Sequence, residues 1–259
     1  MTSGAAPAGR NRTSTVTATS SLRRGTSSRA AKTPPVRGRP KGGGDATRQR
    51  LVQVALDSFG RQGFEGASTR AIALKARANI SAILYHFGGK RGLYLAVAEH
   101  IADFISNRIA PVRDQIEATL AGGKVDPDTA ISLLELAIAR QVTLLAEPET
   151  ESFARFITRE QQEPTDAFTL IYDKAMGVML PMVRRLVAIA TVDDPQREVV
   201  GVRTFAIAGQ FLIFRVARAA VLRQMGWRDI GPAQVKAITS VIQRSARAML
   251  LAARAENAR

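Results

Sequence analysis

Few side chains in this 259-residue chain are equipped for catalysis. It has no cysteine, which excludes thiolate nucleophiles, zinc–thiolate sites, iron–sulfur ligation and disulfides. The two histidines, His86 and His100, are too few for an imidazole-rich metal site. No glycine-rich phosphate loop, carboxylate dyad or nucleophile elbow is found in the sequence. We therefore predict a protein that is not an enzyme and that uses no metal and no cofactor.

Positive charge is the strongest chemical signal. Lys and Arg number 37 against 22 Asp and Glu, and residues 1–44 alone hold nine Lys/Arg and no acidic residue. Such a chain favours a polyanionic partner, either nucleic acid or an anionic membrane. The longest apolar run, residues 204–214, is shorter than the ~20 residues that span a membrane. We therefore predict a soluble protein with a nucleic-acid partner and no membrane partner.

Residues 68–87 have the pattern of a helix-turn-helix, with two short helices joined near Arg77 and Ala78. The second helix must be held rigidly so that its N-terminal residues reach base edges in the major groove. The residues expected to pack inward are Ile72, Ala73, Ile83 and Phe87, together with Phe59 and Phe64. The Asn79 side chain can cap the second helix, and the Thr69 hydroxyl at the start of the first helix can meet a phosphate. The outward residues of the second helix are Ile80, Ser81, Ala82, Leu84 and Tyr85.

Residues 45–97 resemble the N-terminal domain of TetR-family transcriptional repressors. The hallmark of that family, aromatic-His-Phe-Gly-x-Lys followed at once by a long helix, is matched by the run from Tyr85 to Lys90. The resemblance implies that Thr69, Tyr85, His86 and Lys90 lie near the phosphate backbone. Two positions depart from the family. Arg77 stands where glycine is usual, which predicts a turn without a left-handed residue. Leu84 replaces an aromatic residue, so it can touch a thymine methyl but cannot bond a phosphate.

The resemblance extends over roughly residues 45–250 and narrows to the CecR-type, or YbiH-like, branch of the family. It is carried by residues 102–105, 156–165 and 222–227. It implies a homodimer that binds a double-stranded DNA operator and responds to a small-molecule effector.

The first 44 residues contain thirteen Ser/Thr and no aromatic residue. Such a segment buries too little surface to offset its backbone entropy, so we predict a disordered basic tail. Its composition also describes a transit peptide, although an amphipathic apolar face is missing. The run Arg37-Gly38-Arg39-Pro40 matches the core of an AT-hook. Two readings remain open: Arg37 and Arg39 enter a narrow minor groove, or the run is a solvated linker that attracts DNA by charge alone.

From residue 45 onward the apolar residues recur with helical periodicity, and Gly and Pro separate the segments. We predict an all-α fold of about nine helices. Residues 1–44 form the tail, residues 45–97 a three-helix helix-turn-helix domain, and residues 98–259 a larger ligand-binding and dimerisation domain.

Candidate effector contacts are Phe156, Arg159, Met176 and Gln210. Residues Arg159 to Gln161 either contact a ligand or have a structural role inside the subunit. Gln210 lies in an apolar run, where it either bonds a neighbouring helix or faces a cavity or a second subunit. Methionines such as Met176 are more often core residues than ligand contacts.

The last two predicted helices, about 196–225 and 232–256, are the candidate dimer interface. On the final helix the candidate contacts are Val235, Ile238, Ile242 and Met249. Its partner keeps one apolar face with Val202, Ala206, Gly209, Ile213, Val216 and Ala220. Two such helices from each subunit make a four-helix bundle. The alternative is that these rows face the core of their own subunit.

Together these features predict a dimeric regulator of transcription, a repressor that a small-molecule effector releases from a palindromic operator. It would act in the bacterial cytoplasm, on the nucleoid. An architectural protein that coats nucleic acid without sequence choice is the first alternative. An enzyme with a basic targeting tail is the second.

Overall fold

The computed structural model describes residues 42–259, with side chains from residue 44 onward, and this part of the chain contains helices and no strand. The predicted all-α fold is confirmed. The basic tail with Arg37 and Arg39 lies outside the described residues, apart from its last three positions. In chain order the helices are α1 (Gly42–Gly66), α2 (Thr69–Lys75), α3 (Ser81–Phe87), α4 (Lys90–Ala121), α5 (Pro127–Ala146), α6 (Thr150–Gln162), α7 (Asp166–Ile171), α8 (Gly177–Thr191), α9 (Glu198–Val216), α10 (Arg218–Met225) and α11 (Pro232–Asn257).

Two of the predicted helices are interrupted. One turn of π-helix, Tyr172–Met176, joins α7 to α8, and α9 gives way to α10 at Ala217, where φ is −97° and ψ is 26°. When each of these pairs is counted as one continuous helix, the described residues contain the nine predicted helices. By contrast, α4 continues through Pro111 as a single helix of 32 residues.

A first core joins α1, α2, α3 and the N-terminal half of α4 to α6 and α7. At its centre the Tyr94 ring lies 4.8 Å from the Phe59 ring and 4.7 Å from the Phe156 ring, measured between centroids. Phe59 belongs to α1, Tyr94 to α4 and Phe156 to α6. The helix-turn-helix therefore rests on a rigid aromatic support that includes helices from later in the chain.

A second core lies among α5, α8, α9, α11 and the C-terminal half of α4. Its fully buried residues include Leu134, Leu186, Ile207 and Leu250. Because α4 contributes to both cores, it connects the first three helices to the second core.

A buried carboxylate holds the first core together. Glu160 accepts hydrogen bonds from the Tyr94 hydroxyl at 2.5 Å, from the Thr165 hydroxyl and backbone N–H at 2.8 and 3.1 Å, and from the Phe168 N–H at 3.0 Å. It thereby caps α7 and ties it to α4 and α6. Burial, followed by the bond to Glu160, raises the pKa of the Tyr94 hydroxyl, which stays protonated as the donor. Of the two roles left open for this segment, ligand binding or internal structure, these contacts favour internal structure for Glu160.

Candidate nucleic-acid interface

The helix-turn-helix begins at Ser68, whose hydroxyl accepts a 3.4 Å hydrogen bond from the Ala71 N–H. Ser68 is thus the N-cap of α2, and Thr69 is its first helical residue. The buried side of α2 consists of Ile72 and Ala73, as predicted, while Arg70 and Lys75 are exposed.

The turn after α2 passes through a left-handed residue, so the prediction of a turn without one is wrong. Arg77 has a φ of 50°. The N–H of Ala78 bonds the Ala73 carbonyl at 2.9 Å, and the N–H of Arg77 bonds the Leu74 carbonyl at 3.1 Å. These two bonds define a Schellman motif, which requires the residue at the position of Arg77 to be left-handed whatever its side chain. Arginine adopts this conformation at a cost of about 1 kcal/mol relative to glycine.

The start of α3 is fixed by Asn79, as predicted. Its side-chain oxygen accepts hydrogen bonds from both the N–H and the hydroxyl of Ser81, each at 2.9 Å. The helix ends at Gly88, which is left-handed with a φ of 72°.

Backbone contact joins α3 to α4. A Cβ atom at Gly92, in the first turn of α4, would lie 1.7 Å from the carbonyl oxygen of Phe87. No side chain fits at that distance, so glycine lets α4 begin directly against the end of α3. The second helix of the helix-turn-helix, α3, is thereby held at a fixed angle to α4 and is called the recognition helix below.

The outer face of α3 is exposed and largely apolar. Leu84 is 69% exposed and Tyr85 is 84% exposed, and Ile80 and Ser81 are also exposed. Ala82 packs partly against the first core, so it presents less surface than predicted. Large exposed apolar residues on a helix of seven residues mark a surface for a partner.

Basic residues surround this face. Residues 42–97 contain eight Lys/Arg and three Asp/Glu. Sequence analysis missed Arg48 on α1, whose guanidinium lies 5.4 Å from the centre of the Phe87 ring and is therefore held beside α3. Nothing in the sequence singled out Arg48, because basic residues near the start of a helix are common.

Two of the predicted phosphate contacts also have partners within the subunit. The Lys90 ammonium donates to the Glu65 carbonyl at 3.1 Å and lies 4.8 Å from the centre of the Phe64 ring. His86 is half-buried, and its ring meets the Tyr85 ring edge-on at 4.9 Å. Tyr85 is thus the most exposed of the four residues that the resemblance placed near phosphate.

The predicted effector pocket is not assembled in the described part of the chain. Phe156 is only 1% exposed and fills the first core with Tyr94, and Met176 packs against the same core. Arg159 lies across α1, where a Cβ on Gly63 would be 2.9 Å from its guanidinium. Gln210 is half-buried on α9, whose buried face belongs to the second core. Phe156 and Met176 therefore belong to the first core, whereas Gln210 lies on a helix of the second core, and the four residues do not line one pocket.

Two cavities stand out among residues 44–259, and neither is lined by those four residues. One of about 590 Å³ lies between α1 and α2 and includes Arg50 and Arg77. The other, of about 410 Å³, lies between α1 and α4 and includes His100. Burial lowers the pKa of His100, which shares a 2.9 Å hydrogen bond with Gln53 of α1.

On α11 the structure corrects the predicted dimer contacts. Ile238 and Ile242 are 4% and 2% exposed and belong to the second core, so they cannot meet a second subunit. Val235 and Met249 pack partly against the same core. Ile238, Ile242 and Leu250 therefore bury their apolar surface within their own subunit, whereas Val241 and Leu251 are 58% and 40% exposed. The exposed residues of α11 include Ala237, Val241, Ser245, Ala248, Leu251 and Ala252, together with the charged Lys236 and Arg244.

On α9 the predicted apolar row is on the outside. Its members Val202, Ala206, Gly209, Ile213 and Val216 are exposed, as are Phe205 and Leu212 beside them. By length and composition, α5 and α9 are each apolar enough to span a membrane, which residues 204–214 alone did not indicate. Only 17% of the apolar window of α9 is buried in the subunit. An exposed apolar row of this length marks a surface for a partner.

A rigid helix-turn-helix with an exposed apolar recognition face and a basic surround defines a DNA-binding regulator of transcription. Residues 51–97 match the family model of the bacterial regulatory proteins of the TetR family, and residues 130–253 match that of the C-terminal domain of the HTH-type transcriptional dual regulator CecR. The chain belongs to the TetR family of regulators, in the branch with a CecR-type C-terminal domain.

Curated relatives carry the same assignment. The chain is 32% identical to the HTH-type transcriptional dual regulator CecR of Shigella flexneri, over 77% of this chain and 89% of CecR. It is 29% identical to the HTH-type transcriptional repressor NicS of Pseudomonas putida, over 54% of this chain and 62% of NicS. These relatives are bacterial transcription regulators, and the family is not one of enzymes.

Solved structures share the fold at low sequence identity. A TetR-like transcriptional regulator from Rhodococcus sp. RHA1 superposes with a TM-score of 0.53 at 17% identity, covering 77% of this chain and 93% of that one. AibR, solved in complex with isovaleryl coenzyme A and operator DNA, gives a TM-score of 0.55 at 13% identity, covering 76% of this chain and 96% of AibR.

Proposed function

We propose that the chain is a homodimeric repressor that binds a palindromic operator through α3 and leaves it when a small molecule binds. The exposed face of α3, set rigidly by the Asn79 cap and the Gly92 contact, is the observation that carries this function. In a two-fold dimer, two such helices enter successive major grooves about one helical turn apart.

Dimerisation rests on the outer faces of α9 and α11. The α9 row is apolar, and the exposed face of α11 combines small residues with the apolar Val241 and Leu251. Two helices from each subunit then form a four-helix bundle that repeats every contact about the two-fold axis. This arrangement covers the apolar surface of α9 with protein and requires no membrane.

Release by an effector is supported by the relatives. NicS is named a repressor, and AibR, which has the same fold, was solved with both isovaleryl coenzyme A and operator DNA. To move the protein from almost fully DNA-competent to almost fully released, an effector must prefer the released state by about 5.5 kcal/mol. The element placed to transmit this preference is α4, because it contributes to both cores.

Residues 1–44 add operator affinity by charge, through phosphates or through Arg37 and Arg39 in the minor groove. The protein acts by binding and not by catalysis, in the bacterial cytoplasm and on nucleoid DNA. These proposals follow from composition and from the family rather than from the geometry of the described residues.

Two substitutions on α3 test its proposed orientation on an operator selected from random duplexes. Tyr85→Phe removes a phosphate-directed hydroxyl, and we expect operator and scrambled DNA to lose affinity alike, by about fivefold. Ser81→Ala removes a hydroxyl near base edges, and we expect reselection to yield a changed base preference. Fluorescence anisotropy and repeated selection measure the two effects. A changed base preference for Tyr85→Phe with unchanged affinity would contradict the orientation.

A further inference from the structure

Three guanidinium groups from three helices converge on Glu147, the residue that follows α5. The Arg108 Nη2 atom of α4 lies 3.3 Å from Glu147 Oε2, and the Arg140 Nη1 atom of α5 lies 3.7 Å from Glu147 Oε1. Arg215 of α9 donates to the Glu147 backbone carbonyl at 3.3 Å. The Arg140 Nε–H also donates to the Arg108 carbonyl at 2.5 Å, which brings α5 against α4.

This cluster has more positive than negative charge. Glu147 is its single carboxylate, and within the described residues no carboxylate oxygen lies within 4.0 Å of the Arg215 guanidinium. Two other arginines lie nearby, but their charges are already compensated. Arg155 is paired with Asp57 and Glu151, and Arg218 is paired with Asp229. Burial, followed by repulsion from Arg218, lowers the pKa of Arg215. A further anion would relieve this imbalance.

The hydrogen bonding of the cluster is incomplete. The Arg215 Nε–H is a buried donor without a hydrogen-bond partner, and an incoming oxyanion would accept from it. Buried donors of this kind are rare, because an unpaired buried donor is unfavourable until a partner is supplied. Thr150, at the start of α6, contacts Arg215 through its hydroxyl, and no side chain caps that helix. Glu151, in the first turn of α6, is the nearest other carboxylate on that helix, and it is already paired with Arg155.

We propose that Arg108, Arg140 and Arg215 bind the carboxylate or phosphate group of an anionic effector, with Glu147 as the internal anion that the ligand displaces. Planar guanidinium groups suit this role because they bind oxyanions with paired hydrogen bonds. The inference rests on the proposed ligand-responsive function and adds the chemical class of the ligand. Since Arg108 lies on α4 and Arg215 on α9, the anion would couple its own binding to the helix that carries α3.

The test uses the full chain without DNA, with inorganic phosphate and benzoate as probes and benzamide as the neutral match to benzoate. Isothermal titration and thermal shift at constant ionic strength measure binding. We expect both anions to bind the wild type and benzamide not to bind. Glu147→Gln removes the competing carboxylate and should bind anions about tenfold more tightly, whereas Arg215→Gln should bind about tenfold more weakly.

Arg113→Gln is the matched control, because Arg113 is also on α4 but pairs with its neighbour Asp114. It should leave the affinity for anions unchanged. If Arg215→Gln does not fold, Arg108→Gln replaces it, because the Arg108 side chain is about half exposed and its loss should also weaken anion binding. Tighter binding of phosphate than of benzoate would assign a phosphoryl group, and the reverse a carboxylate.

Equal binding of benzamide and benzoate, or a Glu147→Gln protein that binds anions no better than the wild type, would overturn the anion site. Neither outcome affects the proposed repressor, whose operator binding is measured without any probe. Loss of specific operator binding by the wild type would overturn the repressor while leaving the anion measurements valid.

Discussion

Ile213→Glu is expected to produce a monomer that binds its operator much more weakly than the wild-type dimer. Ile213 is 52% exposed near the middle of the α9 row, and a two-fold interface buries each of its residues twice. Two carboxylates would then be desolvated together without partners, which is a large cost. A monomer holds a single recognition helix, so we expect a loss of at least about a hundredfold in operator affinity. Sedimentation equilibrium at micromolar concentration and fluorescence anisotropy measure the two effects.

Val192→Glu is the control for this change. Val192 is 63% exposed in the segment between α8 and α9, so the same alteration of charge and size falls outside the proposed interface. This variant should stay dimeric and bind the operator like the wild type. An Ile213→Glu protein that is folded, dimeric and operator-bound would show that the subunits meet through another surface.

Gly92→Ala is expected to destabilise the protein at the contact between α3 and α4. Its new methyl group would be 1.7 Å from the Phe87 carbonyl oxygen, which is part of the backbone and cannot rotate away. Because either helix must shift, we expect a loss of about 3 kcal/mol in the free energy of unfolding. That corresponds to a fall of roughly 6–12 °C in Tm for a chain of this size. Thermal denaturation followed by circular dichroism measures it.

Gly201→Ala is the matched control because Gly201 also lies inside a helix, α9. Its nearest contact would be the end of the Arg184 side chain at 3.5 Å, which is ordinary van der Waals distance. Alanine favours the helix over glycine by up to about 1 kcal/mol, so this variant should be slightly stabilised. Equal Tm values for Gly92→Ala and the wild type would show that α3 and α4 do not meet as described.

Periodicity and capping residues were enough to predict the helices and the inward face of the helix-turn-helix. Ile72, Ala73 and Ile83 are buried, and Asn79 caps α3, because these features depend on residues a few positions apart. The left-handed conformation of Arg77 was mispredicted from its residue type. It is imposed by the bond from Ala78 to Ala73, so the hydrogen bonds of the turn outweighed the preference for glycine.

Contacts between residues far apart in the sequence could not be predicted from periodicity and capping residues. The helical spacing of Ile238 and Ile242 on α11 predicts that both are covered, but not whether their own subunit or a second one covers them. Likewise, Phe156 and Gln210 are both apolar-face positions, but they belong to helices of different cores. The arginines around Glu147 are far apart in sequence, and no spacing pattern marked them in advance.

Sequence-specific binding is the central claim, and a salt titration on two duplexes tests it most directly. One duplex carries the palindrome selected from random DNA, and the other carries the same bases scrambled. A repressor that reads bases through α3 should bind the palindrome at least ~10³-fold more tightly at physiological salt, while both affinities fall as salt rises. Equal affinity for the two duplexes at every salt concentration would show a non-specific coat held by charge and would contradict the account.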